Sequence, residues 1–223
     1  MSNAILIIGE SGSGKSTSIR NLNPKETFII NVINKPLPFK SYNKNYRKVS
    51  KENPDGNYFA SDNWEKIIDA INYVNEKRPE INSLIIDDFQ YVMANEFMRR
   101  ASEKGWEKFT EIGEHAWKII KSLSEQRDNL DCFVLSHSDT QENGPVKCKT
   151  IGKMLDDKIC LEGMFSIVFH AYMQDGVYKF LTQHDGLRIA KSPMGMFENK
   201  WIDNDLLLIK QKMSEYFNQD IEL

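Results

Sequence analysis

Residues 4–21 read AILIIGESGSGKSTSIRN: an apolar run, a turn rich in glycine and serine, then a stretch of helical composition. The turn spells Gly9-Glu10-Ser11-Gly12-Ser13-Gly14-Lys15-Ser16, the pattern G-x-x-x-x-G-K-S, followed by Thr17. A strand before it and a helix after it are the context that this phosphate-binding pattern requires. Gly9, Gly12 and Gly14 let the backbone turn its N–H groups inward, at dihedral angles a side chain opposes. Those N–H groups and the N-terminus of the following helix form an anion cradle. The pattern predicts a nucleoside triphosphate held by residues 9–17. Lys15 is expected on the β- and γ-phosphates, and the Ser16 hydroxyl on a Mg²⁺ ion.

The helix after the loop is expected from about Lys15 to Leu22, ending at Asn23-Pro24. Residues 27–32 (TFIINV) read as a second buried strand, and Ser83 to Ile86 as another that delivers Asp87-Asp88 at its end. After a phosphate loop, an apolar strand tipped by an acid is a Walker B element. Asp87 is then the expected Mg²⁺ partner, and Asp88 the candidate to orient or deprotonate attacking water. Asp131 to Ser136 (DCFVLS) is a further buried strand, followed by His137, which is placed to sense the γ-phosphate. Between these strands, Asp62-Asn63-Trp64-Glu65 reads as a capping box that opens an amphipathic helix to about Lys77. Helical spacing over Phe109 to Leu123 argues a second. Phe165 to Tyr172 and Val177 to Thr182 read as a hairpin through Asp175-Gly176. Residues 204–217 close the pattern as an amphipathic helix.

Net charge is −3, so any nucleic-acid surface must be a local patch. One candidate is residues 35–51, six basic residues without an acid, interleaved with Phe39, Tyr42 and Tyr46. Cations there can track phosphates while rings stack on bases. The alternative is a solvated loop whose rings pack back onto the domain. A second candidate is the long polar segment 139–163, carrying Lys147, Lys149 and Lys153. Arg188 and Lys191, beyond the last hairpin, are candidate cationic fingers for a neighbouring subunit's nucleotide. Cys132, Cys148 and Cys160 form no C-x-x-C pair and suggest reduced thiols rather than a disulfide framework or zinc site. No apolar run approaches membrane-spanning length, and with the first strand starting by residue 4 no signal peptide is expected. A cytoplasmic protein without membrane contact is the expectation.

The strand and helix order predicts an α/β fold: a mostly parallel sheet covered on both faces, with a β-hairpin and helix following it. The nucleotide belongs at the strands' C-terminal ends. The order of phosphate loop, acid-tipped strand and polar-tipped next strand resembles the additional-strand P-loop ATPases. More specifically, GESGSGKST with IRNLNPK, LIIDDFQYVM, LSHSD, KTIGKMLDDKICLEGMF and AKSPMGMF resemble a phage-encoded family of RecA-like P-loop ATPases. That family includes the Sak-type single-strand annealing proteins. The resemblance implies residues 1–223 as a single RecA-like ATPase domain that uses ATP and Mg²⁺. It also implies assembly as a homo-oligomer, ring or filament, binding of single-stranded DNA, and work in phage recombination or replication in the host bacterial cytoplasm, with a single-strand-binding protein as a possible partner. By position it makes 139–163 the DNA loop and His137 its coupling residue. One departure stands out: RecA takes its catalytic glutamate from the end of the second strand, and here that strand ends Asn31-Val32-Ile33-Asn34.

Two other classes keep a place beside this reading. A nucleotide-gated adaptor with little turnover is consistent with the missing strand-two acid. A small-molecule or nucleoside kinase also begins with a phosphate loop, but usually needs an arginine-rich lid, and Arg99-Arg100 is the one close arginine pair.

Overall fold

The structure is a computed structural model that describes residues 3–140, 144–151 and 159–217. It is an α/β fold with a mostly parallel sheet. In chain order, β1 is Ala4–Gly9, β2 Thr27–Asn31, α1 Tyr42–Asn45, β3 Tyr58–Ala60, α2 Trp64–Lys77 and β4 Ser83–Asp87. Then come α3 Gln90–Arg99, α4 Glu107–Ser124, β5 Asp131–Thr140, β6 Val146–Cys148, β7 Ile167–Gln174, β8 Val177–Leu181, β9 Trp201–Asp203 and α5 Leu206–Phe217. The strands lie in the order β3-β2-β4-β5-β1-β7-β8-β9, with β6 paired to the outer part of β5. Pairing is parallel from β3 to β7 and antiparallel through β8 and β9. β5 therefore separates the phosphate-loop strand β1 from the acid-tipped strand β4, as the additional-strand arrangement requires.

The central strands read as unbroken apolar runs because both faces of the sheet are covered. Successive side chains point to opposite faces, so Leu6 and Ile8 join one core with Ile67, Ile71, Ile112 and Ile119 of α2 and α4. Ile5 and Ile7 join the other, with Ile19, Leu206 and Ile209. The Asp175-Gly176 turn has positive φ at both residues, 52° and 78°, as a two-residue hairpin connection demands.

Several elements depart from expectation for identifiable reasons. The stretch after the phosphate loop is a 3₁₀ helix, Ser16–Asn21. Ser18 Oγ donates to the Lys15 carbonyl, and such hydroxyl-to-backbone bonds compete with the α-helical ladder. Asn63, not Asp62, caps α2 by accepting from Lys66 N at 3.0 Å. Asp62 is drawn away to Asn95 and Arg99 of α3. β5 runs on past Ser136 to Thr140 and pairs antiparallel with β6, so residues 139–140 and 146–148 of the 139–163 segment are paired strand. A second 3₁₀ helix, Leu161–Met164, closes that segment. Residues 33–59 contain α1 and approach the sheet edge at β3. Their aromatics pack inward: Tyr46 is buried, Phe39 meets it edge-on at 6.2 Å, and Phe39 and Tyr42 lean on the core. β9 has no clear sequence signal. His115 stacks on Trp64 at 4.3 Å and contacts Glu96, a packed histidine. Among the described residues no helix is long and apolar enough to cross a membrane.

Candidate nucleotide site

Parallel pairing brings the tips of four strands together. In register, Gly9 of β1 lies beside His137 of β5, and Asn31 of β2 beside Asp87 of β4. The phosphate loop leaves β1 at that edge. Gly12 and Gly14 sit at φ 80° and 91°, backbone conformations that L side chains rarely adopt. At Gly14 space forbids a side chain as well, since a Cβ there would meet the Tyr178 ring at 2.6 Å.

Lys15 is buried, with Nζ donating to the carbonyls of Gly9 and Glu10, each at 2.8 Å. Burial lowers its pKa to about 8, against the attraction of Asp88 and Asp87. Ser16 Oγ donates to Asp87 Oδ1 at 2.8 Å. Asp87 is fully buried, and its Oδ2 has no hydrogen-bond partner. Burial and the neighbouring Asp88 raise its pKa to about 6. A buried carboxylate with an unpartnered oxygen beside a serine hydroxyl suits a Mg²⁺ ion, which takes few protein ligands and completes its shell with water and phosphate oxygens.

Asp88 is buried at φ 64°, a strained backbone for a residue with a side chain. Its carboxylate pairs with Lys35 and lies 3.5 Å from His137 Nε2. Burial works to raise the Asp88 pKa, but the His137 and Lys35 contacts prevail and hold it below the usual carboxylate value. Tyr91 abuts the His137 ring edge-on at 6.1 Å. A cavity of about 330 Å³ opens among Gly12, Lys15, Ser16, Lys35, Asp88 and His137, and extends along the loop from Ser11 to Thr17. A larger hollow, about 540 Å³, lies away from this chemistry beside Pro24, Arg47 and Arg78. Another, about 340 Å³, lies on the far side of the phosphate loop, between residues 10–13 and Arg188.

The remaining candidates fall around this centre. Lys147 lies on β6 opposite Asp139. Lys149 is exposed and donates its backbone N–H to the His137 carbonyl at 2.8 Å. Lys153 lies outside the described residues. Arg188 is engaged within its own chain, with Asp185 Oδ2 at 2.7 Å and the Tyr172 ring at 4.4 Å. Lys191 exchanges backbone hydrogen bonds with Val168 at 2.8 Å in each direction. Three further residues belong to the site's surroundings. Lys35 was visible in the sequence only as one member of a basic run. Tyr178 caps Gly14 from β8. Asn204, also beside Gly14, is buried with both side-chain polar atoms unpartnered. No motif marks the last two.

A family model described as an AAA domain matches residues 1–194. The chain belongs to the AAA domain family. The match takes in the phosphate loop, Asp87, Asp88 and His137, and ends ahead of β9 and α5. Comparison with the curated proteins finds no match. For an AAA domain the class of activity is nucleotide binding of the ATPase type, usually with Mg²⁺. The site has the parts for it: an anion-binding loop, a buried lysine, a serine–aspartate pair fit for the metal, and a second acid at the cavity wall.

Proposed function

We propose that this AAA domain is an ATP-hydrolysing phage recombination protein of the Sak type, acting on single-stranded DNA as an annealing or recombination mediator. The observation that carries the reading is the double engagement of His137. Its ring lies 3.5 Å from Asp88, while its carbonyl accepts from Lys149 in the basic segment. A shift of His137 in response to the terminal phosphate would be passed through the β5–β6 pairing to Lys147 and Lys149.

In this mechanism Lys15 gives its ammonium to the β- and γ-phosphates, and the loop's N–H groups hold their oxygens. Ser16 and Asp87 would hold Mg²⁺, which when bound would neutralise phosphate charge. Asp88, kept ionised by its partners, orients water and accepts its proton. His137 reports the state of the site to the DNA segment. The protein works as a homo-oligomer, ring or filament, with Lys191, or Arg188 once released from Asp185 and Tyr172, serving a neighbour's nucleotide, and meets a single-strand-binding protein on DNA. The test is single-strand affinity and particle size with ATP, with ADP and without nucleotide. Values that ignore the nucleotide would contradict the coupling.

One observation favours a second reading, a nucleotide-gated adaptor. The tip of β2 carries Asn31, whose amide is used to bind the Lys35 backbone, so no acid comes from that strand. ATP-dependent assembly with negligible turnover, even with DNA, would favour the adaptor.

A further inference from the structure

Lys35 reaches the site from a fixed position. Asn31, fully buried at the tip of β2, clamps the following turn from both sides. Its Nδ2 donates to the Lys35 carbonyl at 3.0 Å, and its Oδ1 accepts from the Lys35 N–H at 3.3 Å. Asn34 takes the left-handed conformation the turn needs, φ 54°, and Pro36 stiffens the exit. The Val32 N–H donates to the Asp87 carbonyl at 3.1 Å, tying the start of this turn to the tip of β4. The lysine stem is thereby aimed over the end of β4, where its ammonium pairs with Asp88.

The two members of that pair differ in exposure. The Asp88 side chain is 1% exposed and the Lys35 side chain 40%. Asp88 is anchored by its strand end, whereas Lys35 carries a point charge on a flexible four-carbon stem. Lys35 also lines the same cavity as Lys15 and Ser16. The local charges are two carboxylates, Asp87 and Asp88, against Lys15 and Lys35. A triphosphate adds negative charge beyond what one Mg²⁺ ion and Lys15 offset, and the exposed Lys35 ammonium, on its flexible stem, can turn toward it. Asp88 and His137 line the cavity wall beyond the loop, the side at which a terminal phosphoryl group has to meet attacking water.

We infer that Lys35 is a second phosphate ligand supplied by the same chain, specific for the terminal phosphoryl group of a nucleoside triphosphate, and that Asp88 holds it in place for that contact. The inference rests on the ATP-site reading above. It gives the β2 turn a role in telling triphosphate from diphosphate, a task that needs no acid on that strand. The competing role is a purely structural ion pair that closes the turn.

Equilibrium titrations with Mg·ATP and Mg·ADP separate the two, using the intact chain, Lys35→Ala, Lys35→Gln and Lys35→Arg, with thermal melts to confirm folding. Loss of one charge-assisted contact predicts ATP affinity about tenfold or more weaker in Lys35→Ala and Lys35→Gln. ADP affinity should stay within about twofold by the same arithmetic, and Lys35→Arg should recover part of the preference. Equal losses for both nucleotides, or no loss for either, would overturn the inference while leaving the ATP site intact. Failure of the unaltered protein to bind either nucleotide would overturn both. Lys35→Gln keeps most of the stem and remains decisive should Lys35→Ala fail to fold.

Discussion

Ser16 Oγ and Asp87 Oδ1 lie 2.8 Å apart, joining the phosphate loop to the tip of β4. This contact brings a hydroxyl from one element and a buried carboxylate from another to a single point. Removing Asp87 should therefore sharply reduce the gain in ATP affinity that Mg²⁺ provides. Titration of Asp87→Ala with ATP, with and without Mg²⁺, should give a much smaller difference than in the unaltered protein, which should bind far more tightly with the metal; an undiminished difference would contradict it.

The same carboxylate makes stability depend on pH. An unfolded aspartate titrates at about 3.9, and burial together with the adjacent Asp88 carboxylate raises the Asp87 pKa in the fold to about 6. The folded state thus holds the proton more firmly. This contribution is fully present below about pH 4 and is lost as pH rises through about 6. Asp87→Asn, which cannot ionise, should gain on the unaltered protein by roughly 1–3 kcal/mol between pH 4.5 and 7.5. Urea unfolding without divalent cation measures this, and a gap that does not widen with pH would contradict it.

Lys15 carries the opposite signature. Burial lowers its pKa to about 8, so at pH 8.5 a good part of the free protein has a neutral lysine. Phosphates favour the ammonium. ATP binding at pH 8.5 should take up protons, and less so at pH 7. Calorimetric titration in buffers of different ionisation enthalpy reads the proton count directly, and proton release at pH 8.5 would go against the expected role of Lys15.

Gly12 and Gly14 should respond differently to alanine. Both have positive φ, but a Cβ at Gly12 meets nothing within 4 Å, whereas one at Gly14 runs into Tyr178. Gly12→Ala should cost about 1 kcal/mol from backbone strain alone. Gly14→Ala should cost more, and Tyr178→Ala in the same chain should return part of the difference. Denaturant unfolding of the two single variants and the double variant tests this. An equal cost at both glycines would remove Tyr178 from the account.

Much of this architecture can be read from the residues. The runs ILII, TFII, LIID and CFVL read as buried strands and are strands of the central sheet, and the glycine pattern with Lys15 marked the candidate anion cradle. Asp87 and Asp88 followed from that cradle. Other features depend on what meets in space. Lys35 looks like one solvated cation in a basic run until Asn31 fixes its turn over Asp88. Tyr178 and Asn204 come to Gly14 from distant segments, and no spacing rule could bring them there. The 3₁₀ geometry after the loop goes with the Ser18 hydroxyl donating to the Lys15 carbonyl, a local choice that the spacing does not show. Arg188, a candidate cationic finger in the sequence, is held by Asp185 and Tyr172 within the chain, contacts that a lone cation in a sequence does not announce.

The most direct test of the central claim is phosphate release from ATP with and without single-stranded DNA, alongside Lys15→Ala and Asp88→Ala. The account predicts turnover stimulated by DNA and reduced about 100-fold or more in Asp88→Ala, the range expected for loss of a general base. Lys15→Ala should lose it as well. Turnover that ignores DNA, or an Asp88→Ala variant as active as the unaltered protein, would contradict it.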